Sequence, residues 1–470
     1  MLRMHPTSPR AQSPRAQRPA RARRGAATIA PACRLALCVG PMLCIGLAPD
    51  AQALRVEYAL DLQAEHNDNV LLTEDDAISS TLLMPGLGFM IRHESSTLRT
   101  EITGRALHRR YDDDRFDSAT DANLRGTLDW TLIPERLSFS VVDDLTLQPV
   151  DTFAADAPGN RQQINILSAG PTLQFRWSPS WRGAAELRWI RSDAEVTDEF
   201  DSQRVLLALR SNKALGETGT LSVNVQTQQV DFDDDSLARD YRRDDVYLRY
   251  VRTLARFDLG VDAGWSRLDY RRARTGFDDG RDDPLLRLEA GWRPNPGHRI
   301  GLRYSREFSD VTGDALYSGT IAEPGDASPP PAIVTGDTVV NASPYLDERL
   351  QAGYDYSSTR INASVNPHIE RVRYSDDDRF DQNGRGVGLE LDWRVRRALL
   401  LGFSAAYDRI EYITLDRIDS TRRYTLRARY EWTRRWSATA SVQRYERRSS
   451  AIGESADQTL FTVGMTYANR

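Results

Sequence analysis

The side chains that could do chemistry in this chain are many, but few of them sit in a catalytic pattern. Six histidines are scattered; apart from His5 they are His66, His93, His108, His298 and His368, with no metal-ligand spacing among them. No H-E-x-x-H, G-x-S-x-G, Walker loop or G-x-G-x-x-G occurs. An outer-membrane esterase would need a Ser/His pair with an orienting Asn or acid; His108 lies near Asp112, but nothing singles it out. Acidic runs at Asp112–Asp114, Asp233–Asp235, Asp278-Asp279 and Asp376–Asp378 could gather oxygens around Ca²⁺ or Mg²⁺, but they lack the regular spacing and glycine of a calcium loop. We therefore expect no enzyme, no cofactor and no resident metal. What remains is arginine: nearly every basic residue is Arg, and Lys213 is the only lysine. Arg forks grip carboxylates and phosphates at two points, on a polymer or on a neighbouring strand.

Those arginines sit in segments of alternating character. Val246-Tyr247-Leu248-Arg249-Tyr250, Leu286-Arg287-Leu288-Glu289-Ala290-Gly291-Trp292 and Tyr424-Thr425-Leu426-Arg427-Ala428-Arg429-Tyr430-Glu431-Trp432 each put apolar side chains on one face and charged or small ones on the other. Such a strand suits a soluble sandwich or, turned inside out, a membrane barrel with lipid outside and water within. Alternation alone does not choose between them.

The connections do. Asn67–Ser79, Asp112–Ser118, Asp231–Asp240, Arg272–Asp283, Asp310–Pro344 and Ser375–Gly384 are long and acidic. Between them fall short links at Glu94–Ser96, Ile133–Arg136, Ser178–Ser180, Pro294–His298, Ser357–Thr359 and Thr433–Arg435. A sandwich has no reason to sort its loops this way; an outer-membrane barrel does, with long outer loops and tight periplasmic turns. Trp130, Trp177, Trp181, Trp292, Trp393, Trp432 and Trp436 all cluster by the short links, as an aromatic girdle at one interface would. The expected fold is an all-β, transmembrane, antiparallel up-and-down barrel of about 18–20 strands.

The N-terminus fits export. Residues 1–34 carry eight Arg and no acid, then Leu35–Ala48 is apolar and Ala51-Gln52-Ala53 offers a cleavage signature. We expect residues 1–53 to be a signal peptide and 54–470 the barrel. All three cysteines fall in that leader, leaving no disulfide or thiol chemistry after it. The leader also holds eight Arg and one Asp, so the chain from Leu54 carries a formal charge of −12, which argues against a nucleic-acid partner. No stretch reaches the length of a transmembrane helix, about 20 apolar residues.

Leu62–Val70 (LQAEHNDNV), with Asp68-Asn69-Val70 taken to close the first strand, resembles the start of an outer-membrane β-barrel porin family associated with exopolysaccharide and PEP-CTERM (exosortase) gene clusters. The resemblance implies a conduit or accessory of polysaccharide export in the outer membrane of a Gram-negative bacterium. Its implied partners are outer-membrane lipid and lipopolysaccharide, the barrel assembly machinery, an anionic polysaccharide and periplasmic export proteins. From the residues themselves, strand alternation places Arg249, Arg287, Arg303, Arg427, Arg429, Glu289 and Glu431 on the luminal face. Two readings of that face stay open: a bore that handles an anionic chain, or an Arg–carboxylate lattice that stiffens the wall of a plugged, structural or adhesive barrel.

Overall fold

A computed structural model describes residues 54–151, 153–154, 157–234, 238–271, 280–310 and 342–469. The leader expected at 1–53 lies outside the described residues, as do 311–341 of the longest loop, Asp235 and the Asp278-Asp279 pair.

The alternating segments form twenty strands in one sheet. The first ten are β1 (Arg55–Asn67), β2 (Ser80–Glu94), β3 (Leu98–Tyr111), β4 (Ala119–Ile133), β5 (Leu137–Gln148), β6 (Gln162–Ser178), β7 (Trp181–Ala194), β8 (Ser202–Leu215), β9 (Gly219–Phe232) and β10 (Tyr241–Thr253). The second ten are β11 (Phe257–Tyr270), β12 (Gly280–Trp292), β13 (His298–Ser309), β14 (Tyr345–Ser357), β15 (Ile361–Tyr374), β16 (Gln382–Arg396), β17 (Leu399–Tyr412), β18 (Arg417–Glu431), β19 (Trp436–Ser449) and β20 (Ala456–Ala468). Each strand pairs antiparallel with its sequence neighbours, and β1 pairs with β20 from Ala59↔Ala468 to Asn67↔Leu460. That last ladder closes the barrel and removes both sheet edges.

Register shows which way each side chain points. On the outside Tyr58, Leu60 and Leu62 of β1 flank Phe461, Val463 and Met465 of β20; Asp61, Gln63 and Glu65 face the other way. Burial is inverted relative to a water-soluble protein. Leu62, Leu248 and Leu426 are half or more exposed, whereas Asp61, Asp245 and Asp262 are at most 6% exposed. Moving each such leucine from water into lipid favours the inserted state by about 1.5–3 kcal/mol. The seven tryptophans by the short links all lie on this outward face.

The links keep the expected rhythm. All but one of the odd links run long and the even links are short, down to Pro179-Ser180 and Arg397-Ala398; the exception is the four-residue odd link between β17 and β18. Gly216 and Gly297 take positive φ in two of the tight turns, and a Cβ at Gly297 would collide with the Ser357 carbonyl. Strand ends differ in detail from the sequence reading. β1 stops at Asn67, so Asp68-Asn69-Val70 starts the first loop; there Asn69 binds the Thr73 and Asp457 carbonyls through its amide at 2.8 and 3.0 Å. β12 and β16 begin at Gly280 and Gln382, inside segments expected to be loop. Strands of 12 to 17 residues exceed the roughly 9–11 that span a bilayer, so their outer ends stand clear of the hydrocarbon.

Candidate functional site

The inner half of the barrel wall carries arginines and carboxylates in cross-strand pairs. Arg249 on β10 sits opposite Asp262 on β11, and Asp262 opposite Arg287 on β12. The buried Asp262 accepts from both, at 3.4 and 3.3 Å, and Arg287 also reaches Glu307 on β13 through Nε at 3.0 Å. Glu289 on β12 faces Arg303 on β13, paired at 3.1 Å. Arg429 and Glu431, two apart on one face of β18, approach to 3.7 Å. All seven residues named from the sequence thus share the face opposite the leucines, and each arginine has a carboxylate within reach.

Arg427 shows how the wall allows such reach. Its partner Asp392, 3.5 Å away, lies two strands off on β16, with Gly402 of β17 between them. A Cβ at Gly402 would come within 2.9 Å of Asp392 and 3.4 Å of Arg427. The missing side chain is what lets the pair meet over the middle strand. Gly386 does the same for His368 and Asp408, 3.6 Å apart across β16. His368 is therefore a wall residue in a pair, and among the described residues no group of three or more His, Cys, Asp and Glu is placed to hold a metal.

The outer half is built differently, and sequence reasoning missed most of it. The link between β5 and β6 sends Phe153 across the lumen to β16–β19. Its ring stacks on Phe380 at 5.3 Å and meets Tyr412 edge-on at 5.1 Å. Its carbonyl accepts from Arg417 at 2.9 Å and from Arg447 at 2.7 Å. Both arginines are ion-paired to the buried Asp419, at 2.8 and 3.0 Å, and Ser449 donates to the same carboxylate at 2.6 Å. One loop aromatic is thus held by an Arg–Asp–Arg clasp in which Asp419 and Arg447 are buried.

A second tie starts where β13 ends. Asp310 turns inward to Arg204 of β8, at 2.6 Å, and takes a hydrogen bond from the Tyr241 hydroxyl at 2.7 Å. A third joins Arg239 to Asp376 at 2.9 Å, with the guanidinium 3.9 Å above the Tyr270 ring. Around the second and third lies an apolar interior cluster that includes Ile164, Ile166, Ile190, Val230, Tyr241, Leu268 and Tyr270. Register puts Ile164 and Ile166 on the luminal face and Asn165 on the outer one. The expectation that apolar side chains face lipid fails here, because the inward-turned segments give Ile164 and Ile166 a dry interior to pack against.

The acidic loops mostly spend their charge on neighbours. Asp112 accepts from the Ser80 hydroxyl at 2.7 Å and the Thr81 amide at 2.9 Å, which holds its carboxyl below the usual range. Asp377 is lowered likewise by hydrogen bonds from the Arg379 side chain. Asp113 pairs with Arg115, Asp233 with Arg191 and Asp376 with Arg239, so oxygens considered for a cation are engaged by guanidinium instead. The similar sequences at Tyr111–Asp117 and Tyr374–Asp381 close similar loops: in each an Asp-x-Arg pair precedes a Phe that packs on the strand-end Tyr, at 5.1 and 5.6 Å.

Residues 382–469, strands β16 to β20, match the model of a family described as "Putative beta-barrel porin 2". Among solved structures, the ferric enterobactin receptor PfeA of Pseudomonas aeruginosa is 9% identical, with 88% of this chain and 81% of that chain covered and a TM-score of 0.49. The siderophore receptor PirA of Pseudomonas aeruginosa gives 12%, 90%, 81% and 0.44, and the FrpB iron transporter of Neisseria meningitidis gives 8%, 91%, 82% and 0.42. Comparison with curated proteins gives no match. The chain is a closed, porin-like transmembrane β-barrel whose last five strands are similar to that porin family.

Proposed function

We propose that this barrel sits in the outer membrane of a Gram-negative bacterium and passes a hydrophilic solute through its charged lumen, without chemistry of its own. The observation that carries the reading is the inverted wall: leucines outside, paired charges such as Arg303–Glu289 inside and still open to the bore. Barrels of about 16–18 strands leave an aqueous channel, and those of about 22 enclose a plugged lumen. Twenty strands lie between, wide enough for water and in need of narrowing.

The more specific proposal is export of an anionic polysaccharide, with periplasmic export proteins as partners. Its support is the resemblance at Leu62–Val70 together with a bore rich in Arg forks; the match at the last five strands supports a porin-like barrel and no particular cargo. A second reading, a plugged structural or adhesive barrel, is favoured by the ties at Phe153 and Asp310. Planar-bilayer recording separates the two. Steady ohmic conductance supports passage; silence in the native protein, with conductance appearing once the Phe153 tie is cut, supports a closed resting state. Silence in both forms overturns the conduit. An epitope in the Asp310–Pro344 link should be accessible on intact cells and one at Pro294–His298 should not.

A further inference from the structure

Around most of the outer rim, outward arginines are neutralised by acids on the same face. Arg191 pairs with Asp193 and Asp233 at 2.8 and 2.7 Å, Arg242 with Asp244 at 3.0 Å, Arg267 with Asp269 at 2.7 Å, and Arg448 with Asp457 at 2.7 Å. The spacing is usually Arg-x-Asp, two residues apart along a strand, which keeps both ends on one side of the wall.

Strands β15 to β18 break that rule. Arg385 of β16 lies directly across from Arg409 of β17, both facing outward. Like charges opposite each other in a sheet repel. Among the described residues neither guanidinium has a carboxylate within 4 Å, and Glu411, two positions beyond Arg409, pairs with neither. Arg371 and Arg422 flank them on the same face, and the carboxylates nearest to those two, Glu348 and Glu446, stand off at 3.8 and 3.9 Å on the adjoining strands. Tyr407 lies between, with Arg422 6.0 Å from its ring centre.

Depth gives the patch its meaning. Below Arg385 run Val387, Leu389 and Leu391, then Trp393 of the inner girdle. About eight residues of tilted strand cover roughly 20 Å along the membrane normal, nearly the height of a barrel's apolar band. Arg385 and Arg409 therefore stand where hydrocarbon gives way to headgroups. We infer that Arg371, Arg385, Arg409 and Arg422 form a docking surface for a phosphorylated lipid headgroup of the outer leaflet. A phosphate seated between Arg385 and Arg409 turns a repulsive pair into two charge-assisted contacts, in the forked geometry guanidinium favours. Such a lipid would favour β15–β18, where four such arginines gather, since among the described residues most other rim arginines already hold acids of their own.

This inference rests on the outer-membrane reading, and the test keeps the two apart. The full chain is purified from outer membranes, checked for the folded, heat-modifiable band, and incubated in detergent with a bis-phosphorylated glucosamine lipid or the same lipid after phosphatase treatment. Native mass spectrometry then counts bound lipid. Wild type should retain the phosphorylated form about tenfold better than the stripped one, as expected of an added charge-assisted pair. The double variant Arg385→Gln/Arg409→Gln should lose that preference while still folding, and Arg242→Gln/Arg267→Gln should keep it. Excess inorganic phosphate should not displace the lipid. Equal retention by the Arg385/Arg409 variant, no preference for the phosphorylated lipid, or displacement by free phosphate would each overturn the assignment. Recovery of the chain outside the outer membrane would instead strike the functional reading.

Discussion

The inner and outer halves of this lumen use the same residue types to different ends. Below, Arg249, Arg287, Arg303, Arg427 and Arg429 pair with acids on the wall itself, mostly on neighbouring strands. Above, Arg204, Arg417 and Arg447 reach loop segments that have entered the bore; Arg204 and Arg447 are buried and Arg417 is partly so. Position relative to water sets the difference in strength. A pair open to the bore is screened and contributes little; a buried cluster stripped of one partner leaves an uncompensated charge and costs about 3–5 kcal/mol. The lower half is a lining, and the upper half is a set of ties.

The largest expected effect therefore comes from the ties. Arg447→Ala leaves Asp419 with one guanidinium fewer and releases the Phe153 carbonyl. The folded gel band should melt markedly lower, by about 3–5 kcal/mol of stability, and single-channel conductance should rise. An unchanged melting point with unchanged conductance would reduce the contrast between the halves to one of location. Phe153→Ala sharpens the test, since it removes the ring from Phe380 and Tyr412 but leaves the Arg–Asp–Arg cluster intact: conductance should rise with a smaller loss of stability.

Replacing Arg249, Arg287, Arg303, Arg427 and Arg429 together with Gln should act mainly on selectivity. Five cations leave the bore while Asp262, Glu289, Asp392 and Glu431 stay, so the reversal potential should move toward cation preference with a modest loss of heat resistance. Lost heat resistance with unchanged selectivity would make the lining a lattice and remove these arginines from transport. Gly402→Leu should cost less, about 1–3 kcal/mol, by inserting a side chain between Asp392 and Arg427. The smallest effect concerns the loops. Asp112 and Asp377 are held below the ordinary carboxylate range, so what they contribute is present above that range and lost as pH falls through their lowered values. Limited proteolysis of the β3–β4 and β15–β16 links should accelerate only on acidification.

The sequence carried the lower half better than the upper. Alternation at Leu286–Trp292 and Tyr424–Trp432 suffices to sort Arg287, Glu289, Arg427 and Arg429 from the leucines, because side-chain period is local. Which carboxylate each arginine meets was not legible: Arg427 finds Asp392 through register and through Gly402, both properties of three strands at once. The ties were hidden more deeply. Phe153 and Arg447 are far apart in sequence, and their meeting depends on barrel closure and on a loop turning inward. The one available signal was an unexpected phase: Ile164-Asn165-Ile166 sets apolar residues on the luminal side, which makes sense only if something fills the bore there.

Because the three cysteines all lie before Leu54, residues 54–470 hold none and single cysteines can be placed in the barrel one at a time. The most direct test is a run along β12: Leu286→Cys, Arg287→Cys, Leu288→Cys and Glu289→Cys in proteoliposomes, each challenged with a water-soluble maleimide. The account gives strict alternation, with 287 and 289 labelled from the lumen and 286 and 288 protected by lipid. Uniform labelling, or the opposite phase, would contradict a transmembrane wall with its charges turned inward.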